Sequence, residues 1–244
     1  MKQNINVFWF KRDLRLIDNN ALSVAIQSKH PLLLIYLFEP TVIKDQHISK
    51  KHINFVKESI LDLNNSLKKF DTHIHTYECE LTYFFKRLLK ENNVKLVFST
   101  EEIGLDVTYK RDIAFKSFCK KNKIKWIEKP RTGVFRGRNN RDNWIENWKS
   151  QMMQPIKTTN ASCESFINIV INKLDEIKIK RTISNDRQKG GPTEAHKYLK
   201  SFLSDRYKKY HFKISKPELS RYHCSRLSAY FSWGNLSTRY VWQL

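Results

Sequence analysis

Apolar positions in the first half of the chain fall into five short runs, at residues 5–10, 32–38, 72–78, 95–100 and 123–128. Two of these, LLLIYLF and KLVFST, are apolar without alternation, as strands covered on both faces should be. Helical patterns separate the runs, at 19–28, 49–70, 81–91 and 106–121. In the second, Ile53, Val56, Ile60, Leu63 and Leu67 form a stripe, and in the fourth Ile113, Phe115, Phe118 and Cys119 do. Strict alternation of strand and helix predicts an α/β domain over residues 1–130, built on a doubly wound, five-stranded parallel sheet.

After Pro130 the alternation stops. Trp144, Trp148 and Met152 are spaced i, i+4, i+8 and predict a connector helix that packs through one face. Residues 160–190 are weakly patterned. From Gly190 the pattern turns helical, with Pro192 near a start and Ala195, Tyr198, Leu199, Phe202 and Leu203 on one stripe. A second helix is expected from Ser225, a good N-cap, to Gly234. A third is expected from Ser237 to the last residue, with Tyr240, Val241 and Trp242 lacking partners within the chain. The expected division is therefore 1–130 (α/β), 131–189 (connector) and 190–244 (helical).

Charge adds a partner class. The 45 Lys+Arg against 24 Asp+Glu give +21, which points to a polyanion, most simply nucleic acid. A coding bias toward Lys, Ile and Asn would produce the same excess. The last 64 residues hold 13 Lys+Arg and 4 Asp+Glu, a net of +9. No apolar run approaches the roughly 18 residues of a membrane-spanning helix. The N-terminus lacks the apolar core and cleavage site of a signal peptide. The four cysteines are scattered without CxxC or metal spacing, which argues for reduced thiols, a cytoplasmic location and no metal site. The histidines form no cluster along the sequence.

The first strand-to-helix turn reads KRDLRLIDN. Although the topology expected is Rossmann-like, the turn is neither GxGxxG nor a P-loop, and the chain has no HExxH or GxSxG.

Four collinear segments carry a resemblance. VFWFKRDLRLIDNNAL, EEIGLDVTYKRDIAFKSFCKKNKIKW, NRDNWIENWKSQM and, most telling, SRYHCSRLSAYFSWGNLSTRYVWQ resemble the photolyase/cryptochrome family, with GGPTEAHKYLKSFL leading into the last. The resemblance implies an N-terminal α/β domain followed by the opening of an all-helical FAD-binding domain. Typical members are roughly twice this length. The expectation is a chain truncated within the FAD domain and impaired in catalysis, with catalytic residues that cannot be named.

The resemblance assigns Cys224, Ser225, Arg226, Leu227 and Ser228 to the loop that binds the FAD phosphates. Cys224 stands where the family commonly has Thr, losing a hydroxyl donor. The chemistry is apt, since free backbone N–H groups beside Arg226 suit a diphosphate. An ordinary capped helix is the other reading. Tyr210 matches a family tyrosine that contacts FAD, with Tyr207 a competing candidate and core packing the plainer role. Lys213 and Arg221 lie in a basic stretch that the family turns to DNA phosphates, a solvated face being the other reading. Asp13, with Arg12 and Arg15, either fixes a domain interface or antenna cleft, or forms a structural salt-bridge turn. Trp144 and Trp148 read as connector packing rather than as an electron-transfer pair.

The function implied is that of a flavoprotein performing light-driven repair of pyrimidine dimers in DNA, or blue-light reception. FAD is the implied cofactor, and an antenna such as methenyltetrahydrofolate or a deazaflavin is possible. A monomer with no membrane association is expected. The alternative is a non-enzymatic remnant that binds an antenna chromophore or nucleotide.

Overall fold

The structure, a computed structural model, describes residues 2–131, 133, 134, 136, 137, 140–180 and 187–244. The first six residues of the basic C-terminal stretch, 181–186, lie outside them. Five strands, β1 (Gln3–Phe10), β2 (Leu32–Leu37), β3 (His75–Tyr77), β4 (Asn92–Thr100) and β5 (Lys125–Lys129), pair in the order β3-β2-β1-β4-β5. Every pairing is parallel. The helices of this part are α1 (Asn20–Ile26), α2 (Pro40–Ile43), α3 (Lys50–Leu67), α4 (Leu81–Glu91) and α5 (Asp106–Lys121). The expected doubly wound α/β sheet is therefore present.

Period-2 alternation sends the strand residues to two cores. Phe8, Phe10, Leu32 and Leu34 face a cluster closed by α1 and α3, whereas Val7, Trp9, Leu33 and Ile35 face one closed by α4 and α5. On α5 the buried stripe is Thr108, Asp112, Phe115 and Cys119. Ile113 is exposed, because it lies two residues from Phe115 and so on the opposite side of the helix.

Beyond the sheet lie α6 (Trp144–Met152), α7 (Pro192–Ser204), α8 (Tyr210–Lys213), α9 (Pro217–His223), α10 (Ser228–Ser232) and α11 (Thr238–Trp242). The weakly patterned linker is not idle. The short β3 leaves the first half of β2 unpaired on that side, and there Phe166 bridges Leu32 while the Ile167 amide donates to the Leu32 carbonyl at 3.1 Å. Phe166 and Ile171 are buried.

Two expectations about the C-terminal region are corrected. The helix expected from Ser225 begins at Ser228 instead. Arg226 takes a positive φ of 60°, and the carbonyls of residues 224–226 are claimed by side chains: Arg206 donates to Cys224 and Ser225, and Gln188 to Arg226. Ser225 is therefore no helix N-cap. Likewise α11 ends at Trp242 and has partners. Trp242 meets the edge of Trp148 at 5.9 Å, and Tyr240 meets His196 at 5.3 Å.

Candidate functional site

Two sites follow from this arrangement, a crevice at the carboxyl ends of the strands and a loop in the C-terminal region. In a sheet of this topology the strand order reverses between β1 and β4, and ligands bind in the crevice outside the carboxyl ends of the strands there. Here the crevice is bordered by Trp9–Arg12, by the end of β2 with Glu39, and by Glu102, Arg111 and Trp233.

It is lined with charge. The Arg111 guanidinium bonds Glu39 at 2.8 Å, Glu102 at 2.6 Å and Asp112 at 2.8 Å, and lies 4.6 Å over the Trp9 ring. Lys11 lies 3.3 Å from both Asp112 and Glu128. Arg12 bonds Glu102 at 3.1 Å and stacks 4.6 Å over Trp233. Arg136 closes the network on Glu128 and Asp112. Cations and carboxylates offset one another, so the crevice offers no surplus positive charge to an anion.

Its two deepest carboxylates differ. Burial pushes Glu39 up to about 7, against the pull of Arg111, and its Oε2 has no hydrogen-bond partner. Glu102 is equally buried, but Arg111, Lys11 and Arg12 together overcome desolvation and hold it below its usual range. Contrasting environments of this kind leave one group able to exchange a proton while the other stays ionised. The cavity between them measures about 40 Å³, room for a few waters. It does not fit a chromophore, which needs several hundred cubic ångströms.

A larger cavity of about 360 Å³ lies across the first turn, between α3, α7 and α11, with Arg15, Lys69, His196 and Tyr240 in its wall. Burial lowers the pKa of His196.

The turn itself, residues 11–15, is a docking element. Asp13 accepts from the Lys11 amide at 2.8 Å and from Asn19 at 3.2 Å. The Leu14 amide donates to the Trp233 carbonyl at 3.1 Å, and Asn235 donates to the Leu14 carbonyl at 3.0 Å. Asp18, beyond the turn, accepts from Ser237, from Arg239 at 3.0 Å and from the Lys157 amide at 3.1 Å. Of the two roles read for Asp13, Arg12 and Arg15, the contacts match the first in part: the turn fixes an interface with the C-terminal segment.

At the second site, Arg226 with positive φ is followed by Leu227 at φ −91°, ψ −9°. Alternation of this kind is the backbone geometry from which anion-binding concavities are built; here the Leu227 amide donates to Ser225 Oγ at 3.5 Å. Side chains hold the carbonyls of this loop away, as described above. Cys224, Ser225 and Arg226 are half-buried, Leu227 is buried and Ser228 is exposed. Tyr210 is half-buried and packs edge-on against Phe202 at 5.9 Å, so ring packing accounts for its placement; Tyr207 is half-exposed. Lys213 is half-buried and Arg221 exposed, and neither has a recorded ion pair among the described residues.

A doubly wound α/β domain whose first turn clasps a helical C-terminal segment is the class of protein these features define. The DNA photolyase family model matches residues 6–139, and the chain belongs to that family. The deoxyribodipyrimidine photo-lyase of Buchnera aphidicola is 24% identical over 252 residues, covering 96% of this chain and 52% of that protein. Chicken cryptochrome-2 is 35% identical over 86 residues, 35% of this chain and 15% of the relative. Among solved structures, the archaeal photolyase from Sulfolobus tokodaii, described with two FAD molecules, superposes with a TM-score of 0.76 at 19% identity, covering 99% of this chain and 54% of that one. The Synechocystis cryptochrome gives 0.77 at 17% identity, with 100% and 55% coverage. The chain thus spans about half the length of the relatives it matches from end to end. No helix among the described residues is long and apolar enough to cross a membrane.

Proposed function

We propose that this chain is a flavoprotein of the photolyase class that serves light-driven repair of pyrimidine dimers in DNA. The observation that supports the proposal is the loop at 224–228, where a positive φ at Arg226 followed by a helical Leu227 gives a backbone turn of the kind that binds anions, at the place where the family resemblance puts the FAD diphosphate. In this reading residues 190–244 are the opening of the helical FAD-binding domain, 131–189 its connector and 1–130 the α/β domain. The amides around Arg226 and Ser228 hold the phosphates, the Arg226 side chain adds charge, and Tyr210 borders the cofactor. Lys213 and Arg221 face DNA phosphates. Bound and reduced, FAD supplies the electron that opens the dimer; the protein positions it and supplies a basic docking face.

Blue-light reception is the second reading, favoured by the 35% identity to a cryptochrome. For an antenna chromophore the small crevice does not fit, and the 360 Å³ cavity beside the first turn is of a matching size. The test is to add FAD to purified protein, remove unbound cofactor, record flavin absorbance, and follow light-dependent dimer loss in an irradiated oligonucleotide. Retained flavin with repair supports the first reading. Retained flavin without repair supports the receptor. An absence of retained flavin overturns both.

A further inference from the structure

On the far edge of the sheet, remote from the crevice and the loop, the fold gathers two histidines and a glutamate. His75 is the first residue of the edge strand β3, and His73 lies two residues before it. Their rings lie 4.0 Å apart. Glu176 comes from the linker, 101 residues further on, and sits between them, with one oxygen 3.0 Å from His73 Nε2 and the other 3.0 Å from His75 Nδ1. One donor atom from each of the three lies within 4.8 Å of the others.

We propose that His73, His75 and Glu176 form a binding site for a divalent transition-metal ion, with Zn²⁺ the natural occupant by donor chemistry. Two imidazoles and one carboxylate suit zinc and its neighbours rather than calcium or magnesium, which take all-oxygen shells.

The surroundings are those of a built site. His75 is buried, and its other nitrogen, Nε2, faces Asn168 Oδ1 at 3.2 Å. That amide is oriented unambiguously: its Nδ2 donates to the Asp71 carbonyl at 2.8 Å, and Thr72 donates to its Oδ1 at 3.1 Å. Oδ1 is thus an acceptor for His75 Nε2–H, and a metal at Nδ1 would displace the proton that Nδ1 shares with the Glu176 carboxylate. Outer partners of this kind fix the tautomer of a ligating histidine. Glu176 is held just as firmly. The adjacent Ile177 amide donates to the Thr76 carbonyl at 2.7 Å, and the Thr76 hydroxyl donates to the Ile177 carbonyl at 2.7 Å. Tetrahedral zinc with bonds of about 2.0–2.2 Å spaces its ligand atoms about 3.4 Å apart; with one atom from each residue the donors lie within 4.8 Å of one another, so the widest pair must draw together around an ion. A cavity of about 300 Å³, walled in part by His73, Glu176 and Lys178, adjoins the site and leaves a fourth position to water. A bound ion would tie the linker to the sheet edge, where β3 otherwise offers three residues for pairing.

The full-length chain, stripped with a chelator, is titrated with Zn²⁺ against a chromogenic competitor, and with Co²⁺ for the visible bands of tetrahedral coordination. One ion per chain is expected. His73→Ala and Glu176→Gln should each weaken binding more than tenfold and abolish the Co²⁺ spectrum. Asn168→Ala should weaken it about 10–100-fold as a positioning residue. His47→Ala, at an exposed histidine whose recorded partner is Asp45, should change nothing. Zn²⁺ should also slow amide exchange in the linker at 168–177. Should His75→Ala fail to fold, the two more exposed ligand variants decide. Lack of stoichiometric binding, or unchanged affinity in both His73→Ala and Glu176→Gln, overturns the proposal and leaves the triad as a hydrogen-bonded clasp.

Discussion

The guanidinium of Arg15 donates to the carbonyl of Gly234 at 3.1 Å, joining residues 219 apart in sequence. Both are buried in the seam between the first turn and the C-terminal segment. Arg15 Nε and Nη2 both donate to the Asp18 carbonyl, so backbone oxygens accept all three of these hydrogen bonds. Burial lowers the pKa of Arg15 to about 10 and raises that of nearby Asp13. Arg131 adds a bridge, donating to the carbonyls of Arg12 and Ser232. The C-terminal segment is thus sewn to the sheet by backbone polar groups, and Leu227, Tyr230, Trp233 and Leu236 join the same core as Phe8 and Phe10.

Gly234 is required in that seam. Its φ is 71°, and a Cβ there would lie 2.2 Å from the Arg12 carbonyl oxygen and 2.6 Å from the Asp13 Cα. The obstacle is backbone, which cannot swing aside. Gly234→Ala should therefore cost about 2–4 kcal/mol, combining left-handed strain with overpacking. Urea unfolding measures it; a loss below about 0.5 kcal/mol would show that the seam yields.

Most of the fold was legible because burial on both faces writes itself as unbroken apolar runs. Residues 32–38 and 95–100 are of that kind, and four intervening helices follow from period alone. Legibility failed where backbone polar groups decide. Ser225 has the side chain of a helix cap, but Arg206 and Gln188, both distant in sequence, bind the neighbouring carbonyls and delay the helix to Ser228. Phe166 and Ile171 carry no periodicity, because a linker laid along an open strand edge has none to show. The pair His73 and His75 stands two residues apart in the sequence, but Glu176 gave no signal, because its approach depends on a linker path that a separation of 101 residues conceals. The charged crevice was only half visible: Arg12 and Asp13 stood out in the first turn, but Glu39, Glu102 and Arg111 meet through three separate loops and helices.

The contribution of Glu39 to stability should decline as pH rises from about 4.5 to 7. Glu39 is buried, and its folded pKa of about 7 lies above the ordinary 4.5. Between those values the folded chain holds a proton that the unfolded chain has released. The unfolded state therefore binds fewer protons, and unfolding free energy falls with rising pH. For a group this deeply buried the full span corresponds to about 3 kcal/mol. Glu39→Gln keeps the size and removes the ionisation, so its stability should be flatter over this window. Parallel pH profiles of the two proteins would refute the assignment.

Binding to DNA should be weak, independent of sequence and steeply dependent on salt, because counterion release drives it. Lys213→Ala and Arg221→Ala should each reduce the slope of log K against log salt by about one, uniformly across sequences. Fluorescence anisotropy between low and physiological salt gives the slope. If neither variant changes it, these two side chains are solvated surface charges and the DNA contact lies elsewhere.

Cys224 offers a test of the phosphate loop by gain rather than loss. It precedes the turn at Arg226–Leu227 and is half-buried, and its thiol is a poor donor to an oxyanion. A threonine hydroxyl in the same place donates a charge-assisted hydrogen bond worth about 1.5–3 kcal/mol. Cys224→Thr should therefore tighten FAD binding about 10–100-fold. Added bulk alone could mimic a small gain, so Cys224→Val, which matches threonine in shape without its hydroxyl, is the necessary companion. Flavin fluorescence quenching gives both affinities. Threonine should exceed valine by at least tenfold if the loop grips the diphosphate. Equal affinities would mean that position 224 does not face a phosphate, and the loop would then be what its sequence alone also permits, the lead-in to a short helix.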